Sequence, residues 1–261
     1  SGPSLTGATV TLSGGLSGDQ LNYTAINGIT GSYSTGTGVL SLSGTTTAAN
    51  YQAALRTITY SFTPSNGDPT AGNKDTSRTI TWSITDGLAP SNTPSTTLTV
   101  IHAAPTISVA GNVSFAAGGG AVVLDSAATV TAPDSLDQLS KATITIDGGL
   151  LPGDGDVLSA NVTGTSISVS YNSGTEVLTL SGADTTAHYQ QVLRTVAIST
   201  SSGDPTGGGL HTSRTLSWVV NDGVVDSAAD TTTATALCFL AGTRIMTPDG
   251  EVQVQDLRQG D

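Results

Sequence analysis

The chain has 261 residues, with 8 Lys and Arg against 20 Asp and Glu and a formal net charge of −12. That balance excludes a nucleic-acid binder, which needs a basic face to displace phosphate counterions, and it disfavours insertion into or binding at anionic membrane surfaces. No run of about 18 apolar residues is present to span a bilayer, and a single Cys excludes an internal disulfide framework.

Taken in chain order, the first periodic segment is Ala8-Thr9-Val10-Thr11-Leu12, where apolar residues alternate with Thr as in a half-buried strand. It stands close to the first residue, so the start of the sequence is expected to fall inside a domain. Leu40-Ser41-Leu42-Ser43-Gly44 has the same period of two. Thr46 to Leu55 departs from it: Tyr51 and Leu55 stand at i and i+4 behind a Thr cap, which predicts a single helical turn. Gly67-Asp68-Pro69-Thr70 is a turn, and Arg78, Trp82 and Asp86-Gly87 follow along a further strand.

Most of these segments then return. Leu178-Thr179-Leu180-Ser181-Gly182 and Tyr189-Gln190-x-x-Leu193-Arg194 repeat their counterparts at an offset of 138, and Gly203-Asp204-Pro205-Thr206 and Thr212-Ser213-Arg214-Thr215 at 136. Ala142-Thr143-Ile144-Thr145-Ile146 repeats the first strand at an offset of 134. The second copy has an added front end, Ala104 to Leu139, that the first does not. The expected organisation is one repeat lacking its first strands over residues 1–101, one full repeat over 104–237, and a different segment over 238–261. About seven short strands and one helical turn in a full repeat predict a β-sandwich.

The set Leu-x-Leu-Ser-Gly, Tyr-Gln-x-x-Leu-Arg-Thr and Arg-Thr-x-x-Trp-x-x-x-Asp-Gly resembles the cadherin-like repeats of large secreted bacterial adhesins. The resemblance implies an all-β fold of tandem Ig-like sandwiches, a secreted or cell-surface location, neighbouring repeats of the same chain as partners, and a cell-surface protein or glycan as ligand. It also implies calcium, whose six to eight oxygen ligands would come from Asp134 and Asp137, from Asp154 and Asp156, from Asp86, and from Asp222 and Asp226. The alternative is that these are solvated acidic turns. The junction Val100-Ile101-His102-Ala103-Ala104 carries His where an oxygen ligand is expected.

Other candidates have structural readings. Trp82 and Trp218 alternate with polar neighbours, as core residues do; the alternative, a carbohydrate-binding sandwich, would need them exposed. Arg56 and Arg194 are expected to lay their stems on the sandwich. His102, His188 and His211 lack zinc-ligand spacing and have no nucleophile at triad spacing.

The last segment, CFLAGTRIMTPDGEVQVQDLRQGD, is unlike the rest. It reads as a Cys, a small-residue turn, a strand, a Pro-Asp-Gly turn and a Val-x-Val strand, and so as a C-terminal β-hairpin. It resembles the start of a Hint domain, the self-processing module of Hedgehog proteins and inteins. The resemblance implies that the Cys238 thiolate attacks the Leu237 carbonyl and converts the Leu237–Cys238 amide into a thioester. In the family a Thr-x-x-His motif tens of residues downstream serves this amide, and no such motif follows Cys238 within residues 238–261, so no complete active site is expected in residues 1–261. Two classes of function follow: a secreted adhesive stalk, and a parent chain that is a self-cleaving cysteine autoprotease.

Overall fold

The computed structural model describes residues 4–149, 155–237, 244–247 and 250–253. The chain folds as two units, Ser1–Ala104 with Ala132–Asp137, and Pro105–Thr131 with Gln138–Asp261.

In the first unit, β1 (Ser4–Ser13), β2 (Asp19–Asn22), β3 (Thr30–Ser34) and β4 (Val39–Thr47) lead into α1 (Ala48–Leu55), followed by β5 (Thr59–Phe62), β6 (Ser77–Thr85) and β7 (Ser95–Thr99). One sheet has the order β3-β4-β1-β6-β7, and β2 pairs with β5 in a second. Alternation decides which side is buried: Ala8, Val10 and Leu12 of β1 stand in register with Leu40 and Leu42 of β4 and with Ile80 and Trp82 of β6. This face packs with Leu21, Tyr51 and Ala54 to form the core.

The second unit begins with β8 (Thr106–Ser108), β9 (Asn112–Ala116), β10 (Val122–Val123) and β11 (Thr129–Thr131). It then repeats the first unit: β12 (Gln138–Gly148), β13 (Asp156–Ser159), β14 (Ser168–Asn172), β15 (Val177–Thr185), α2 (Thr186–Leu193), β16 (Ala197–Thr200), β17 (Ser213–Asn221) and β18 (Asp230–Leu237). The large sheet has the order β14-β15-β12-β17-β18-β9, and the smaller one β10-β16-β13. The order of the first unit is thus reproduced, with β9 added beside β18 and β10 beside β16. This is the all-β sandwich that the alternation predicts.

Each helix is eight residues long, about two turns where the sequence pattern predicts one. The Thr47 and Thr185 side chains accept the amides of Asn50 and His188, which are otherwise orphaned in the first turn. Tyr51 and Tyr189 are buried as the i, i+4 pattern requires. The Leu-x-Leu-Ser-Gly motif explains itself here. Gly44 and Gly182 lie at bulges with φ of 148° and 126°, where a Cβ on Gly182 would stand 2.7 Å from the Ser166 carbonyl oxygen. Their own carbonyls accept the hydroxyls of Tyr51 at 2.8 Å and Tyr189 at 2.7 Å. Two motifs of the repeat therefore form one tie between strand and helix.

At the C-terminus, β19 (Arg244–Thr247) and β20 (Gly250–Gln253) pair antiparallel, with Arg244 opposite Gln253 and Thr247 opposite Gly250. This is the hairpin expected of the segment.

Candidate functional site

The Gly-Asp-Pro-Thr turn and the Thr-Ser-Arg-Thr strand form one polar assembly in each unit. In the first, Arg78 projects from β6 into the sandwich, where its side chain is fully buried, and its Nε donates to Asp19 Oδ2 at 2.5 Å. Nη2 also donates to Asp19 Oδ1 at 3.4 Å, and the guanidinium reaches three backbone carbonyls: Nη1 those of Asp75 and Ser77, and Nη2 that of Pro69 at 2.7 Å. Asp19 also accepts the Leu16 amide and the Tyr60 hydroxyl. Burial and the neighbouring carboxylate push the Tyr60 phenol far above its ordinary value.

The second unit repeats the arrangement. Arg214 Nε donates to Asp156 Oδ2 at 2.6 Å with both side chains at 0% exposure, Nη1 donates to the His211 carbonyl, and Nη2 to the Pro205 carbonyl at 2.7 Å. The planar guanidinium suits this role because its fork of donors can hold a carboxylate and a turn at once. Sequence reading by motif misses these pairs. The signal is present as Gly18-Asp19-x-Leu21 and Gly155-Asp156-x-Leu158, a repeat displaced by 137 residues, beside the Arg pair displaced by 136.

The turn held by each Arg is closed by its own Asp. Asp68 accepts the Thr70 amide and hydroxyl and the Gly72 amide, and Asp204 accepts the Thr206 amide and hydroxyl and the Gly208 amide. His102, with 1% of its side chain exposed, places Nδ1 3.2 Å from Asp68 Oδ1. Burial alone would raise the Asp68 carboxyl, but the hydrogen bonds from Thr70, Gly72 and His102 outweigh it and hold the group at about 2.

The carboxylates considered for calcium fall in different places. Asp156 is the buried partner of Arg214 and the first residue of a strand, not a loop ligand. Asp86 accepts the Leu88 and Ala89 amides, which hold it below its ordinary value. Asp222 accepts the Val224 and Val225 amides, and Asp226 accepts the Asn221 side-chain amide. Within the first unit, Asp134 accepts the Ala103 amide at 2.6 Å and Asp137 accepts the Asn66 side-chain amide at 2.9 Å. Among the described residues no three His, Cys, Asp or Glu side chains are arranged to hold a metal ion. Asp154 lies outside the described residues.

Cys238 also lies outside them. Leu237, the residue whose carbonyl it would attack, ends β18 in register with Ala116 and is 47% exposed. It borders a cleft of about 340 Å³ lined with Thr206, Gly208, Gly209 and Thr212. Trp218 is fully buried, with Nε1 donating to Thr232, whereas Trp82 is half-buried. Arg194 donates Nε to the Ala128 carbonyl, while Arg56 is exposed. His188 in the first turn of α2 places Nδ1 2.7 Å from Oδ1 of Asp184, near the end of β15. No helix among the described residues is long and apolar enough to cross a membrane.

These ties define a class, the all-β sandwich repeat whose polar side chains brace its own turns. No known family model matches the chain. Over 140 residues, 52% of the chain, it is 35% identical to halomucin of Haloquadratum walsbyi, of which it spans 2%. The C-terminal domain of the Streptococcus agalactiae antigen I/II polypeptide BspA aligns over 88% of this chain and 84% of its own, at 13% identity and a TM-score of 0.23. Cadherin domains 3–6 of protocadherin gamma B2 align over 88% and 45%, at 12% identity and a TM-score of 0.28. At such scores the architecture stands on the strand order described above.

Proposed function

We propose that the chain is a pair of repeats from the stalk of a secreted or cell-surface protein, running into the start of a Hint-type autoprocessing module. The observation that carries the stalk reading is the recurrence of internal ties. Arg with Asp, Asp with its turn, and Tyr with Gly recur in both units at spacings of 136 to 138 residues. What the repeat reproduces is its own bracing, and each bead is built to hold its shape beside the next. The likeness to a segment of halomucin supports this reading. Antibodies raised against residues 105–237 should label intact cells of the source organism, and protease added outside those cells should remove the signal. Labelling that appears only after lysis would overturn it.

The Hint-type reading rests on the residues from Cys238 onward and on the hairpin of β19 and β20. In a chain extended beyond Asp261, intact mass should reveal cleavage between Leu237 and Cys238 that added thiol accelerates and Cys238→Ala abolishes. An unchanged mass under both conditions would remove autoprocessing and leave the stalk.

A further inference from the structure

The two units share a core but not its cover. In the second, Phe115 of β9 is 2% exposed, and Leu124 and Ala128 are 1% and 0% exposed. Behind this cover Leu193, Val196, Ile198, Trp218, Val220 and Ala234 are all fully buried. Their counterparts by strand register and repeat offset are Leu55, Ile58, Tyr60, Trp82, Ile84 and Leu98, and every one is only partly buried. Leu55, Trp82, Ile84 and Pro94 line an apolar hollow of about 220 Å³.

The polar groups that hold the cover recur as well. In the second unit Gln190 Oε1 accepts the Val130 amide and Arg194 Nε donates to the Ala128 carbonyl. Backbone pairing joins β9 in parallel to β18, from Asn112 opposite Thr233 to Ala116 opposite Leu237, and the Leu124 amide to the Val196 carbonyl. In the first unit Gln52 and Arg56 stand at the same motif positions, both exposed and with no side-chain hydrogen bond among the described residues. β7 is a sheet edge, exposed along most of its length.

We propose that this open face of the first unit is a docking surface for a β segment of the Thr106–Thr131 type. Four features select the occupant. The free edge of β7 takes a parallel strand by backbone hydrogen bonding. The hollow at Trp82 and Pro94 takes a large aliphatic side chain of the Ile107–Val109 stretch; Ile107 and Val109 are both buried in the second unit, where the Val109 amide reaches Asp230, the counterpart of Pro94. Gln52 accepts one backbone amide of the incoming segment, and Arg56 donates to one of its carbonyls.

The probe is a synthetic peptide of residues 105–131 titrated into the full chain. Binding should be saturable and should shift the tryptophan emission to the blue, because Trp82 loses water while Trp218 has none to lose. Phe115→Ser in the peptide should weaken binding roughly tenfold or more, as the loss of a buried aromatic requires. The chain variant Gln52→Ala with Arg56→Ala changes only exposed side chains and should also weaken it. Absence of binding at about 1 mM peptide, which bounds the affinity below any specific docking, would overturn the proposal. So would binding indifferent to these substitutions. A concentration-dependent dimer that the peptide does not dissociate would overturn it in favour of a second copy as the occupant.

Discussion

Arg214 and Asp156 are the most consequential residues of the second unit, because both are charged and neither touches water. Asp156→Ala leaves a buried guanidinium without its counter-charge, and should destabilise the second unit by about 3–5 kcal/mol in urea unfolding. Replacing both with apolar residues of similar volume should recover most of that loss, since desolvation of the pair offsets much of its attraction. Asp68 makes a pH-dependent contribution. Its carboxyl titrates at about 2 in the folded chain against an ordinary 3.8. The stability it confers is therefore complete above the unfolded value and is lost as pH falls through the folded one. Acid titration of the wild type should show this loss between about pH 4 and pH 2, and Asp68→Asn should remove that part of the dependence.

At the scale of elements, the tie between strand and helix depends on a backbone conformation that only glycine adopts readily. Gly182→Ala forces a Cβ against the Ser166 carbonyl at a φ of 126°. It should cost about 1–3 kcal/mol, measured by thermal or urea unfolding. A glycine-to-alanine change at an exposed loop position with no positive φ, such as Gly203, would serve as the control. The alternation in β1, β4, β6 and their counterparts was legible because burial on one face of a sheet imposes a period of two on the sequence. The helices were legible in position but not in length. The Thr cap and the Tyr–Leu spacing mark where each begins and which side is buried, but packing on the sheet decides where it stops.

At the scale of the molecule, the acidic residues set the expected response to calcium. Each described carboxylate considered for calcium already accepts an amide N–H or a guanidinium. Thermal melting in calcium and in chelator should therefore coincide, since a ligand that binds only the native state would raise the melting temperature by mass action. An upward shift in calcium that is lost on Asp134→Ala would assign a metal role to that loop.

The sequence by itself determined the repeat, the strand alternation, the helix positions and the hairpin at the end of the chain, because each is a local pattern with its own period or turn chemistry. The tertiary structure alone decided the roles of the charged residues. Asp156 looked like a loop ligand because it follows Asp154 at a spacing of two, yet it begins a strand and faces Arg214, 58 positions away. It also decided that equivalent residues have different surroundings. Trp82 and Trp218 occupy the same motif, but one is half-buried and the other sealed, because burial depends on which strands cover a side chain and the motif carries no record of them.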